Sequence, residues 1–270
     1  MTWQRYVAIG DSSTEGIDDP DGLGGFHGWA DRLAERLAGA QGRIDYANLA
    51  VRGSTTPRIR AEQLEPALAL QPDLMTIASG INDMLRPSFD PSDVTADLEA
   101  MLREATDTGA TVVTVAWPDP SRVHPAARLL RRRVAALNDA VRTAAARTDA
   151  LLLDLAHHPL AADPRLWSED RLHANSLGHE RIGAALAHLL GVPGSDDAWT
   201  RSLTPPTPPR TAPHRQLAAD LAWARRHLAP WVVRRVRRRS SGDEVTAKRP
   251  RLRSVVGDGP DESGGHGPTS

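Results

Sequence analysis

The chain has 270 residues, 40% of them hydrophobic and 25% charged, enough to bury one sizeable core without staples. The absence of Cys excludes disulfides, thiolate catalysis and Cys-based zinc sites, leaving hydroxyl, carboxylate and imidazole groups to carry chemistry. A net charge of −1 hides an asymmetry: residues 200–270 hold 14 basic against 6 acidic side chains, and residues 1–199 hold 19 against 28.

The first apolar run, Tyr6–Ile9, is far too short for a signal-peptide core or a membrane span, so a cytoplasmic location is expected. It ends abruptly in Gly10-Asp11-Ser12-Ser13-Thr14-Glu15-Gly16. A strand that closes in glycine and hydroxyls either cradles a phosphate or presents a nucleophile. The stretch lacks both common phosphate-loop spacings, and by itself it decides nothing further. A helix follows over Trp29–Ala38, then a strand over Ile44–Ala47 that leads into the polar stretch Asn48–Ser54.

The alternation continues with a helix over Pro57–Leu70 and a strand over Leu74–Ala78, which opens into Ser79-Gly80-Ile81-Asn82-Asp83. A helix over Val94–Thr108, a strand over Thr111–Ala116 followed by Trp117-Pro118-Asp119, a helix over Ala126–Arg147 and a strand over Leu151–Leu155 come next. A last helix over Ser176–Leu190 follows "WSEDRLHANSLGHERIG". Apolar strands, several of them unbroken by charge, alternating with amphipathic helices, predict an α/β fold: a three-layer α/β/α sandwich around a five-stranded parallel sheet. Ligands bind beyond the C-terminal strand ends of such sheets, so the polar residues after each strand are expected to converge.

A serine hydroxyl needs a general base and a group that fixes the base's tautomer, and Asp170-Arg171-Leu172-His173 supplies a candidate for each role. Attack on an ester creates an oxyanion that needs donors fixed in advance, and the Gly53 N–H and the Asn82 side-chain amide are candidates. Asp83 is expected to brace the Asn82 turn, Asp11 to hydrogen-bond near the serine turn, and His179 to face the surroundings of the last helix. The pair His157-His158 lacks a clear third ligand for a metal, and Trp117 and Trp167 are candidate cleft walls. Two Phe and two Tyr give no aromatic platform for a sugar.

Gly10-Asp11-Ser12-Ser13, Gly53, Gly80-Ile81-Asn82-Asp83 and Asp170-Arg171-Leu172-His173 resemble, in order, the four blocks of the SGNH (GDSL-type) hydrolases. The likeness runs over residues 5–190, and only the fourth position of the first block departs, with Ser13 in place of the usual Leu. The resemblance implies a flavodoxin-like fold and a carboxylic ester hydrolase acting on small-molecule esters. It further implies Ser12 as nucleophile, His173 as base and Asp170 as its orienter. The Ser12 N–H, Gly53 N–H and Asn82 amide would form an oxyanion hole, with no metal or organic cofactor. An O-deacetylase of carbohydrates or other metabolites is the alternative on the same machinery. An inactive scaffold that binds a membrane or partner is the alternative of another class.

The catalytic domain is expected over residues 1–195, followed by a Pro-rich linker (196–213), a basic amphipathic helical segment (214–239) and a disordered tail (240–270). The helical segment suits either an anionic membrane surface or the acidic catalytic domain, and its charge favours the second. Thirty-two arginines against one lysine, Lys248, match a coding bias, and no nucleic-acid-reading module accompanies them. The oligomeric state is not legible.

Overall fold

The computed structural model describes residues 2–123, 125–205, 225–226, 242–243 and 245–257. Six strands form one sheet: β1 (Arg5–Gly10), β2 (Arg43–Asn48), β3 (Leu74–Ala78), β4 (Thr111–Ala116), β5 (Leu151–Asp154) and β6 (Arg249–Val256). Their order is β5-β4-β3-β1-β2-β6; β1 to β5 are parallel and β6 lies antiparallel on β2. The helices are α1 (Ser12–Glu15), α2 (Trp29–Gln41), α3 (Thr56–Ile59), α4 (Glu65–Ala69), α5 (Ile81–Met84), α6 (Pro91–Thr106), α7 (Arg131–Ala146) and α8 (Ser176–Leu189).

The period of two along β1 explains why its sequence from Tyr6 to Ile9 is apolar on both faces. Tyr6 and Ala8 face one core with Trp29, Leu33 and Leu37 of α2 and Leu186 of α8. Val7 and Ile9 face the other with Leu98 and Met101 of α6 and Leu137 and Val141 of α7. Trp29, Leu33, Leu37, Leu98 and Met101 are fully buried, and each of the Leu and Met side chains is worth about 1.5–3 kcal/mol of transfer free energy. The helix expected over Pro57–Leu70 is helical but not uniform, because a π-helical turn, Arg60–Leu64, separates α3 from α4. Pro66 accounts for it: proline has no N–H to donate and its ring crowds the carbonyl four residues back.

Two expectations need correction. The sheet has six strands rather than five, and the sixth comes from within residues 240–270, where a disordered tail is expected from composition. Four of the six residues Lys248–Arg253 are cationic, and this density hides the strand. An edge strand needs little apolar surface, since backbone pairing with β2 supplies the contact. Leu252 and Val255 are half-buried, while Arg251, Arg253 and Val256 face out. Arg249 donates from Nε to Tyr46 O at 3.0 Å and lies 5.1 Å from the Tyr46 ring centroid. The expected Pro-rich linker beyond residue 205, and the helical segment 214–239 apart from Arg225 and Arg226, lie outside the described residues. Among the described residues no helix is long and apolar enough to cross a membrane.

Candidate active site

The strand order reverses direction between β1 and β3, and the crevice beyond their C-terminal ends is where such sheets bind ligands. Ser12 follows β1 there and Asn82 follows β3. The last residue of β1 is held on both sides of its peptide: Gly10 N donates to Gln63 Oε1 at 2.9 Å, and Gln63 Nε2 donates to Gly10 O at 3.0 Å. Gln63 belongs to the π-helical turn, so that irregularity aims a buried amide at the strand end that carries Ser12.

His173 reaches this point from the far end of the chain. Ser168 N donates to His173 O at 2.9 Å and a β-bridge joins Trp167 to Ala174, so residues 168–173 form a closed loop. Asn175 anchors its end, accepting from Gly178 N to cap α8 and donating from Nδ2 to Arg165 O and Trp167 O. His173 Nε2 lies 2.8 Å from Ser12 Oγ, and His173 Nδ1 lies 2.5 Å from Asp170 Oδ2. The other oxygen of Asp170 accepts from Ser168 Oγ, Leu172 N and His173 N at 2.6, 2.9 and 2.9 Å. Burial works against ionising Asp170, but the hydrogen bond and charge of His173 outweigh it and hold the carboxyl well below its ordinary range. Burial likewise opposes charge on His173, and Asp170, with Asp18 and Asp11, turns the balance so that its basicity rises. The arrangement can draw a proton from Ser12 to an imidazole whose tautomer Asp170 fixes.

Ser13, the departure from the family pattern, takes no part in this series. Its Oγ accepts from Trp29 Nε1 at 3.3 Å, and the imidazole is on Ser12. Asp11 caps α1 through Ser13 N at 3.1 Å, and its second oxygen accepts from Asn82 Nδ2 at 2.9 Å. Burial pushes Asp11 up to about 6, although the Ser13 N–H, His173 and Asn82 pull the other way. Asn82 Nδ2 also donates to Ser54 O at 3.0 Å, so both its hydrogens are engaged within the fold. Asp83 accepts from Thr56 N and Thr56 Oγ1 at 2.9 and 3.0 Å, bracing the Asn82 turn against the start of α3. Gly53 occupies a turn closed by Ser54 N donating to Val51 O, at φ 76°, a conformation that favours glycine.

Other contacts were not legible in the sequence. Glu15, 4% exposed, accepts from Arg52 N at 2.9 Å and pairs with the Arg52 guanidinium, tying the helix of Ser12 to the loop of Gly53. His179 is buried, accepting from Trp29 N at Nδ1 and donating from Nε2 to Ile17 O; burial pushes it down to about 4, so it is neutral. Trp117 is buried with its backbone paired to Asn138, and Trp167 donates from Nε1 to Ala161 O. Asp18, Asp170 and His173 offer ligand atoms within 4.8 Å of one another, but Asp170 already spends both oxygens on the hydrogen bonds above. A cavity of about 540 Å³ beside β4 and β5 is lined by Asp119, Arg131, Asn138, Asp139 and Arg142 among others, not by Ser12 or His173. Arg142 pairs there with Asp139 and Asp154, so its charge is largely answered within the fold.

A mainly parallel sheet with helices on both faces, carrying Ser, His and Asp in hydrogen-bonded series at its switch point, defines a hydrolase-type α/β protein. Residues 8–181 match the GDSL-like Lipase/Acylhydrolase family, and the chain belongs to it as a GDSL-type esterase. Among solved structures, an acetyl xylan esterase from Geobacillus stearothermophilus is 20% identical, covering 71% of this chain and 96% of its own, with a TM-score of 0.59. A lipase/acylhydrolase from Enterococcus faecalis is 24% identical over 68% of this chain and 94% of its own, TM-score 0.55. The esterase EstA from Pseudoalteromonas sp. is 19% identical over 70% of this chain and 97% of its own, TM-score 0.56. These likenesses establish the fold. Among curated proteins no sequence matches the chain.

Proposed function

We propose that the protein hydrolyses small carboxylic esters through an acyl-enzyme on Ser12. His173 Nε2 takes the Ser12 proton as Oγ attacks the acyl carbon, and Asp170 holds the imidazole and stabilises the imidazolium. The Ser12 N–H, the Gly53 N–H and Asn82 Nδ2 receive the oxyanion, with Asn82 yielding one hydrogen it otherwise gives to Asp11 or Ser54 O. Collapse expels the alcohol, which takes the proton from His173. Water, deprotonated by His173, then attacks the acyl-enzyme, releasing the acid and restoring Ser12. The observation that carries the reading is the unbroken series Asp170 Oδ2, His173 Nδ1, His173 Nε2, Ser12 Oγ, at 2.5 and 2.8 Å.

The test is a ladder of p-nitrophenyl esters of increasing chain length, with wild type and Ser12→Ala, run beside acetylated oligosaccharides and fluorophosphonate labelling. Hydrolysis lost with Ser12 is expected, and hydrolysis unchanged in Ser12→Ala overturns the mechanism. Preference for the acetylated sugars would narrow the substrate to carbohydrate esters. A wild type that neither turns over nor takes the label would favour the scaffold reading.

A further inference from the structure

Residues 242–243 and 245–257 lie outside the segment shared with the family, and the first of them, Gly242, packs on the loop that carries Gly53. Gly242 is buried against Arg52 O: a Cβ there would overlap that oxygen and stand 3.0 Å from Val51 Cγ1. Arg52 O belongs to the same peptide plane as the Gly53 N–H, so whatever presses on the carbonyl sets the direction of that N–H. Asp243 Oδ1 lies 3.6 Å from Arg58 Nη1, just after the same loop.

Lys248 holds the segment whose Phe26 ring lies under the Arg52 side chain. Its ammonium donates to Phe26 O at 2.9 Å and to His27 O, and pairs with Asp31 Oδ2 at 2.5 Å, so all three of its hydrogens have acceptors. The Arg52 guanidinium lies over the Phe26 ring, 5.2 Å from the centroid, and pairs with Glu15. From Lys248 onward β6 runs along β2, the strand that feeds the Gly53 loop. Arg52 is thus held by Glu15 at its N–H, by Gly242 at its carbonyl, which is the oxygen of the Arg52–Gly53 peptide, and by Phe26 beneath its side chain; the second contact is made by the C-terminal arm, and the third rests on the Phe26 segment that Lys248 anchors.

We propose that the arm formed by residues 242–243 and 245–256 positions the Gly53 N–H for the oxyanion, with Gly242 and Lys248 as positioning residues. The proposal rests on the assignment of Gly53 as an oxyanion donor. Neither residue touches the reacting atoms; both act through the orientation of one peptide plane. A donor turned aside matters more to the tetrahedral oxyanion than to the bound ester, so the effect falls on kcat rather than KM.

The experiment is steady-state hydrolysis of p-nitrophenyl acetate by the full chain carrying Gly242→Ala or Lys248→Met, with Ser12→Ala in parallel and folding checked by circular dichroism and Tm. Loss of a whole donor typically costs about 10²–10³ in kcat, so a tilted one is expected to cost ~10-fold or more with KM within about twofold. A folded Gly242→Ala with wild-type kcat overturns the proposal, as does a loss carried wholly by KM. If Gly242→Ala fails to fold, Lys248→Met decides, because it loosens the arm without adding bulk, and unchanged kcat there overturns the proposal. Activity surviving in Ser12→Ala defeats the underlying mechanism, whereas an inactive Ser12→Ala beside an undisturbed Gly242→Ala defeats the arm alone.

Discussion

His173 Nε2 stands 2.8 Å from Ser12 Oγ, a hydrogen bond between residues 161 positions apart in the chain. It joins the two ends of the family-matched segment across the C-terminal rim of the sheet, and its geometry depends on the closed 168–173 loop and on the strand end that Gln63 holds. The expected behaviour of variants follows from which part of this assembly each one touches.

On the proposed mechanism, removing the hydroxyl or misorienting the imidazole is expected to stop chemistry with the fold intact. Ser12→Ala is expected to abolish ester hydrolysis, and Asp170→Asn to lower kcat by roughly 10⁴, as loss of the correct imidazole tautomer does in triads generally. Initial rates on p-nitrophenyl acetate, with Tm unchanged within a few degrees for Ser12→Ala, check both.

The pH profile reports the charge around His173. Only the neutral imidazole accepts the Ser12 proton, and Asp170, Asp18 and Asp11 raise its basicity above that of a free imidazole despite burial. The acid limb of kcat/KM is therefore expected to have an apparent pKa above 6.5, with activity lost as pH falls through it. Asp170→Asn is expected to move that limb downward, which a profile from pH 5 to 9 on residual activity reads directly.

Asn82→Ala removes an amide that already bridges Asp11 and Ser54 O. A fall in kcat of about 10²–10³ with KM little changed is expected if the amide meets the oxyanion. A variant in which KM rises and kcat holds would assign Asn82 to ground-state binding instead.

Asp11 links stability to pH. Its folded pKa is pushed above the ordinary 3.8 to about 6 by burial, so its protonated form favours folding and that stability is lost as pH rises from about 4 past 6. The ionised group then costs on the order of 2–3 kcal/mol. Asp11→Asn removes this dependence, so its Tm relative to wild type is expected to rise across that interval, with activity reduced because Asn82 loses part of its anchor.

Arg52→Met strands the Glu15 carboxylate, which is 4% exposed, with the Arg52 N–H as its remaining partner at that residue. Removing one member of a buried pair is expected to cost about 3 kcal/mol, and pairing it with Glu15→Gln to recover part of the loss. Urea titration of both variants measures the difference.

The parallel strands were legible because a sheet covered on both faces is largely apolar and free of charge along its strands, as in "LMTIA" of β3 and "TVVTVA" of β4. Helix limits were less so: the expected Ala126–Arg147 helix divides into a 3₁₀ segment, Pro125–Leu130, and α7, a change of hydrogen-bond pattern that periodicity does not encode. The arm is not legible in the sequence because its contacts are backbone pairing and lysine-to-carbonyl bonds, which leave no apolar pattern.

The sequence by itself determined the chemical inventory: a serine after the first strand, an Asp-x-x-His before the last helix, a glycine and an asparagine after two further strands, and no thiol. Local chain order fixes which residue types follow which strand, and the parallel α/β topology sends them to one rim. Only the tertiary structure decided that His173 meets Ser12 rather than Ser13, that both Asn82 hydrogens are already held, that Glu15 and Gly242 bear on the Gly53 loop, and that Lys248 anchors the segment of Phe26 beneath Arg52. Hydrogen bonds and close packing depend on distances of a few tenths of an ångström between residues remote in sequence, and those distances exist only once the chain has closed on itself.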